Sequence, residues 1–434
     1  MDSPKPEETA PKAGDGRAAS TGAVADDLES GAMSSNSEAP HQPQSRRRWL
    51  QVLAGHLVLV NTIGYANSYG LFEQYYVSEL GLSASQVSWA GSIQIFLLCF
   101  VSVFSGRLFD YGLLRWLMIV GGLLQVVGLA TASAARDYWQ LVLAQGVCGG
   151  VGGGLVYNPV LMCVATYFPE RRALALTLVT IGASTGGIVF PVVAQQMLPA
   201  AGLAWTLRCM ALVVLVDSVI VVLIARDRLS PRPKAPFLEL GAFRELPYTL
   251  FSVGVFFCSW ALYVAYDYIT HYAVTVLGVD RGKSLTILLI LNAAGYPGRI
   301  LSALVADAYL GPLRTLVVLS LILGVLFIGW IGVKTSASLF ALSALFGFAN
   351  GAAQGMIVAG LPSLTTDLNR LGTRSGMVLA VLSIAVLTGP PIAGALIEAD
   401  HGSYLYMQIW AGLSMVVGAG FVMGAYCMRT RLKG

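Results

Sequence analysis

The stretch SGRLFDYGLLR, Ser105–Arg115, lies between two long apolar runs. It places Arg107, Asp110 and Arg115 within a few residues, and Gly106 and Gly112 bracket the acid. A looser copy, ALVADAYLGPLR from Ala303 to Arg314, carries Asp307 and Arg314 between two further apolar runs. Short charged turns repeated in an apolar chain punctuate a bundle of membrane-crossing helices, and the repeat raises the question of duplication.

Composition agrees with that setting. Of 434 residues, 56% are hydrophobic and 12% charged, with a mean hydropathy of +0.70. Soluble domains carry about twice that share of charge, so an integral membrane protein is expected. A net charge of +4 with dispersed basic residues gives no support for a nucleic-acid partner. Cys99, Cys148, Cys163, Cys209, Cys258 and Cys427 all fall in apolar segments. Their spacing matches neither a metal site nor a disulfide framework, and no cofactor is expected.

Residues 1–45 are rich in Pro, Ser, Ala, Asp and Glu and read as a disordered cytosolic tail. Twelve stretches are long and apolar enough to span, since a spanning helix needs about 20 such residues. They divide into a six-helix bundle over 46–226, a basic, Pro-rich cytosolic linker over 227–246, and a second six-helix bundle over 247–428, with a cytosolic end at 429–434. Placing the N-terminus inside puts eighteen Lys and Arg on the cytosolic side and four outside, as the positive-inside rule requires. Both termini are therefore expected in the cytosol.

The halves share landmarks. Asp110 and Asp307 are 197 residues apart, Gly146 and Gly347 are 201 apart, and Pro191 and Pro390 are 199 apart. Near-constant offsets imply a duplicated chain of two six-helix halves in the same orientation. Such parallel repeats typify transporters that rock about a central site. In this setting Asp110 and Asp307 can accept hydrogen bonds from a neighbouring helix N-terminus or pair with an arginine. Contacts of that kind, made in one conformation and broken in another, form a latch involving Arg107, Arg115, Arg171, Arg172 and Arg314.

GRLFDYGLLR resembles the loop signature of the major facilitator superfamily. In the second copy Ala303 replaces the glycine, and two extra residues separate Asp307 from Gly311. Within the superfamily the chain is similar to the fungal branch of the monocarboxylate-porter family over Trp49 to about Ala411, through NSYGLFEQYY (67–76), SWAGSIQIFLL (88–98), YWQLVLAQGVCGGVGGG (138–154), TYFPERRALA (166–175), GRI (298–300) and GPPIAGAL (389–396). The resemblance implies an all-α fold of twelve transmembrane helices in two parallel-repeat bundles. It also implies a cavity lined by spans 1, 4 and 10. Asn67 stands where animal members place a carboxylate-contacting lysine, and Gly295 where they place an aspartate four residues before the span-8 arginine, here Arg299. Glu170 and Thr177 depart similarly. These differences point away from lactate-type proton symport.

Arg299 is the foremost candidate, because a cation in hydrocarbon usually faces a partner or a water-filled cavity. Its partner is an anionic substrate, Asp307 or a helix C-terminus. Asp267 with His271 is a proton relay or an exposed pair near the outer interface. Asp217 is a coupling acid or a structural one. His56, Asn67, Tyr69, Asn158, Asn350 and Gln354 line the implied cavity or satisfy neighbouring helices. Gly146, Gly150 and Gly154 recur every four residues as a close-packing stripe; Gly389, Pro390 and Pro391 mark a break or kink in span 11.

These readings converge on a secondary transporter using alternating access and no nucleotide, not an enzyme. It is proton-linked, sits as a monomer in the plasma membrane bilayer, and moves a small organic, anionic solute. Export of a fungal secondary metabolite leads; uptake of a monocarboxylate or vitamin-like solute is the alternative, and a transport-inactive sensor a lesser one.

Overall fold

The computed structural model describes residues 42–68, 76, 84–227, 239–365 and 370–431. Tyr69, one of the expected cavity residues, lies outside them. Among the described residues the structure is helical throughout, without strands. Nine continuous helical stretches among the described residues are apolar and long enough to cross a bilayer. Two of the nine are double. Arg172–Ile224 turns at Gly202 (φ 75°), giving spans 5 and 6. Arg281–Val305 and Gly311–Trp330 are joined by one π-helical turn, Ala306–Leu310, giving spans 8 and 9. Span 1, Gln42–Leu59 with the π-helical turn Val60–Gly64, completes the twelve.

The other spans are Ala84–Asp110 (span 2), Leu114–Ala132 (span 3), Tyr138–Leu141 continued by Val142–Cys148 and Gly149–Tyr167 (span 4), Leu246–Leu262 with Val264–Thr275 (span 7), Ser336–Ser363 (span 10), Leu371–Ala399 (span 11) and Leu405–Arg431 (span 12). Gly112 (φ 82°) and Gly311 (φ 74°) turn the chain in the two motif copies. Both adopt the left-handed backbone that side chains resist, which is why each copy carries glycine after its acid.

The duplication is visible in the packing. Span 2 packs on span 4 as span 8 packs on span 10, and span 9 packs on span 12 as span 3 meets span 6 through Gly122 and Ser218. Spans 2 and 11, and spans 5 and 8, form the largest contacts between halves, one pair turning into the other when the halves are exchanged.

Gly146, Gly150 and Gly154 form the expected stripe. A Cβ on Gly150 would lie 2.7 Å from the Gln94 carbonyl, and one on Gly154 2.7 Å from Val101 Cβ. Gly146 faces Ala90 and Ile93 of the same span 2, so three successive turns of span 4 lie against one face of span 2. In span 11 the break, one of the two expected alternatives, is not made: Leu371–Ala399 stays helical through Gly389, Pro390 and Pro391. The carbonyl of Pro390 accepts from the Tyr268 hydroxyl at 2.8 Å, and Gly389 gives room to the Trp260 carbonyl. The helix break falls instead in span 7, at Tyr263, where Asn350 donates to the Leu262 carbonyl at 2.9 Å.

Candidate functional site

Two layers of polar contact join the halves. The outer one lies on the face bearing the motif loops. Asp110, at the end of span 2, sits over the start of span 11. Its Oδ2 accepts from the Thr373 amide at 3.0 Å and the Thr373 hydroxyl at 2.7 Å. Span 11 supplies no side-chain cap of its own, so the opposite half satisfies its exposed first-turn amides. Asp307 does the same in reverse, accepting from the Leu174 amide at the start of span 5 at 2.9 Å. Each acid is held at a positive helix N-terminus. Behind the first acid, Asn158 donates to the Gly372 carbonyl at 3.2 Å and accepts from Ser375 at 2.8 Å. Gly106 lets the backbones of spans 2 and 11 meet against Gly372.

The arginines divide. Arg107 is buried and stacks 4.2 Å above Tyr111, beside Asp110. Arg171 is electrostatically close to Asp307; its neighbour Arg172 opens span 5. Arg115 and Arg314 are not brought to the acids: Arg115 is exposed, and Arg314 lies 4.2 Å over Tyr426. Span 3 or span 9 carries each of them outward just after its glycine turn.

A further cation was missed by sequence reasoning, which counted it only among loop charges. Arg374, in the first turn of span 11, binds Glu239 at 2.9 Å and Glu245 at 2.5 Å, and Arg370 binds Glu239 at 2.6 Å. Hydrogen bonds from Arg374 and Arg370 hold the Glu239 carboxyl below the ordinary glutamate range. The segment leading into span 7 is thereby tied to the same helix start that Asp110 caps.

The inner layer centres on Arg299, which is fully buried in span 8. Its Nη1 donates to Ser184 of span 5 at 2.7 Å and its Nη2 to Gln354 of span 10 at 2.7 Å. Nε has no hydrogen-bond partner, and among the described residues no carboxylate is paired with this guanidinium. Of the alternative partners, Asp307 is therefore not the one paired with Arg299; it accepts from Leu174. Gly295 and Gly351 flank the group: a Cβ on either would lie 2.6 Å from Nη1. The absence of an aspartate at position 295 thus has a steric meaning, since the guanidinium occupies that space.

Tyrosines surround it. Tyr157, Tyr263, Tyr266 and Tyr296 are all electrostatically close to Arg299. The Tyr266 hydroxyl lies near Arg299 and Gln354 without hydrogen-bond geometry to either. Beside this cluster, Thr185 Oγ1 is 3.2 Å from His56 Nε2 and 2.8 Å from the Tyr296 hydroxyl. Ser184, Thr185 and Tyr296 escaped the sequence reading; the small-residue run GASTGG gives no hint of which hydroxyl faces inward.

Other expected cavity residues lie elsewhere. Asn67 makes no described contact with Arg299, and its side-chain nitrogen is buried with no hydrogen-bond partner among the described residues. Asn158 serves the outer layer and Asn350 the span-7 break. Asp267 is exposed, and His271 binds Tyr404 at 2.5 Å. Asp217 is half-buried on span 6.

Two six-helix halves, joined by paired acid-capped helix starts around a buried charge, match a family model described as Major Facilitator Superfamily over residues 57–357. The chain belongs to the major facilitator superfamily. As a member of that superfamily it is a multi-pass membrane transporter of small molecules. It is 40% identical over 379 residues to an MFS-type transporter of Gibberella zeae, covering 87% of this chain and 86% of the relative. It is 33% identical to the aspyridones efflux protein of Emericella nidulans, over 89% of this chain and 79% of that protein. A crystal structure of FucP, a superfamily transporter in the outward conformation, shares the fold with a TM-score of 0.62 at 15% identity, covering 87% of this chain and 98% of FucP.

Proposed function

We propose that this transporter exports a small, anionic fungal metabolite by alternating access, with the anion held at Arg299. The carrying observation is the buried guanidinium bound by Ser184 from one half and Gln354 from the other, with no carboxylate among the described residues to neutralise it. An uncompensated charge in a low-dielectric interior costs several kcal/mol, a penalty that an anionic solute relieves. Its two partners belong to different halves, so rocking the halves apart must change the site.

Asp110 and Asp307 are the latches of the cycle, closing the cytosolic face by capping span 11 and span 5. Arg107 and Arg171 stabilise them, and Glu239, Glu245, Arg370 and Arg374 fasten the linker to the first latch. The halves over 46–226 and 247–428 rock as units in the plasma membrane, with both termini cytosolic. The protein acts as a monomer without enzymatic activity, coupled to protons. Export as the direction is supported by the efflux named for the Emericella nidulans relative. The chain belongs near the monocarboxylate porters, as its span-8 arginine suggests.

Comparative metabolomics of cells and medium tests this reading, with the gene deleted and restored. An acidic compound that accumulates in deleted cells and falls in the medium is the expected result. A nutrient left unconsumed in the medium of deleted cells would overturn export and assign uptake.

A further inference from the structure

We propose that His56 is the proton-carrying group of this transporter, acting through a hydrogen-bonded chain, His56–Thr185–Tyr296, whose direction reverses on protonation. This rests on the reading of Arg299 as the anion site and assigns the proton that accompanies it.

The chain crosses the molecule at the level of Arg299. Span 1 contributes the imidazole, span 5 the Thr185 hydroxyl and span 8 the Tyr296 hydroxyl, at 3.2 and 2.8 Å. The imidazole also approaches the Leu178 backbone carbonyl of span 5. The close fit of span 1 on span 5 comes from Gly182, which lies against the His56 carbonyl, and from Gly186 against Gly64. Tyr296 and Arg299 are three residues apart on one helix, hence on one face. Ser184, next to Thr185, accepts from Arg299 Nη1.

The titratable and charged groups facing this chain can be named. Span 8 presents Tyr296 and Arg299, and around Arg299 stand Tyr263 and Tyr266 of span 7 and Tyr157 of span 4. Span 5 presents the hydroxyls of Ser184 and Thr185. Imidazole is the side chain among these that ordinarily changes charge near neutral pH, at about 6.5.

A hydroxyl has one proton to give and two lone pairs with which to accept. With His56 neutral at Nε2, Thr185 donates to the ring, and Tyr296 donates to Thr185. With His56 protonated, Nε2–H donates to Thr185, and Thr185 donates to the Tyr296 oxygen. The Tyr296 proton is then released from the chain. It is free to bond a solute anion beside Arg299, and no proton is lost or gained except the one on the imidazole. The same protonation brings a second positive charge to the site. Proton and anion therefore bind cooperatively and cross together.

The test is a pH titration of the full-length protein in nanodiscs, with its four histidines labelled at the imidazole nitrogens and followed by NMR. His56→Gln identifies the resonance. The expected result is a single titration between pH 5 and 8. Tyr296→Phe, which removes the acceptor for the Thr185 proton, should lower the proton affinity of His56 at least threefold, about half a pH unit. Thr185→Val should change the Nε2 shift, and Thr185→Ser should restore it. Arg299→Gln should raise the affinity at least threefold by removing a nearby cation. A His56 resonance that does not titrate in this range, or a midpoint unmoved in Tyr296→Phe, would overturn the proposal. The titration needs no solute, so it can fail while the Arg299 reading stands. Conversely, undiminished export by Arg299→Gln would sink that reading and leave the titration intact.

Discussion

Asp110 caps the first turn of a helix that belongs to the other half of the molecule, holding Thr373 by both its amide and its hydroxyl at 3.0 and 2.7 Å. Asp307 reciprocates on Leu174 at 2.9 Å. A duplicated sequence motif thus becomes a reciprocal contact between its two copies' halves. The motif acids cap neither of their own helices.

Asp110→Asn should loosen this contact without touching the inner site. Hydrogen bonds to charged groups contribute about 1.5–3 kcal/mol each, so a net loss of about 2 kcal/mol shifts the closed state roughly thirtyfold. Spin labels at the exposed Leu113 and Tyr309, one in each half, should report a longer separation. Solute affinity should change less than transport rate. Equal loss of both at normal membrane levels would contradict the latch. Asp307→Asn, at the second contact, should act in the same direction.

Arg299→Lys keeps the charge but loses the planar fork. A single ammonium cannot reproduce the Ser184 and Gln354 bonds in their present geometry. Export of the identified solute should fall at least tenfold, with normal protein levels. Wild-type transport by this variant would exclude recognition through the fork.

Gly150→Ala places a methyl 2.7 Å from the Gln94 carbonyl and 2.9 Å from Leu97 Cβ. Overpacking of this kind costs about 1–3 kcal/mol. Gly420→Ala, on span 12, meets nothing within 4 Å and should stabilise by up to about 1 kcal/mol through helix propensity. Thermal unfolding in detergent should therefore move in opposite directions for the two variants.

The carboxyl of Glu239 is held low by its bonds to Arg374 and Arg370. A lowered folded value means that its stabilising contribution is present above the ordinary glutamate range and is lost as pH falls through the folded value. Glu239→Gln should thus melt lower than wild type at pH 7. The difference should shrink on acidification below about pH 4.3, the ordinary glutamate value. A constant difference from pH 7 to pH 3 would contradict this pairing.

Much of the fold was legible because hydrophobic length and positional offset survive in a linear sequence. The GxxxGxxxG stripe at 146, 150 and 154 was legible because four-residue spacing means one helix face, whatever the partner. The motif acids were recognisable, but their targets were not, since Thr373 and Leu174 lie in other helices and nothing local distinguishes them. Arg299 stood out as a charge in an apolar run; Ser184 and Gln354 were hidden among ordinary small and polar residues. Pro390 and Pro391 left a break or a kink open from the sequence alone; span 11 runs helical through both. Arg115 and Arg314 misled because proximity in sequence to an acid ends at a glycine turn.

The most direct test of the central claim is counterflow of the radiolabelled metabolite found in the deletion strain, in proteoliposomes carrying wild type or Arg299→Gln. The account predicts saturable counterflow with the wild type and its loss with Arg299→Gln at equal reconstitution. Undiminished saturable counterflow by Arg299→Gln would contradict an anion site at the guanidinium joining Ser184 to Gln354.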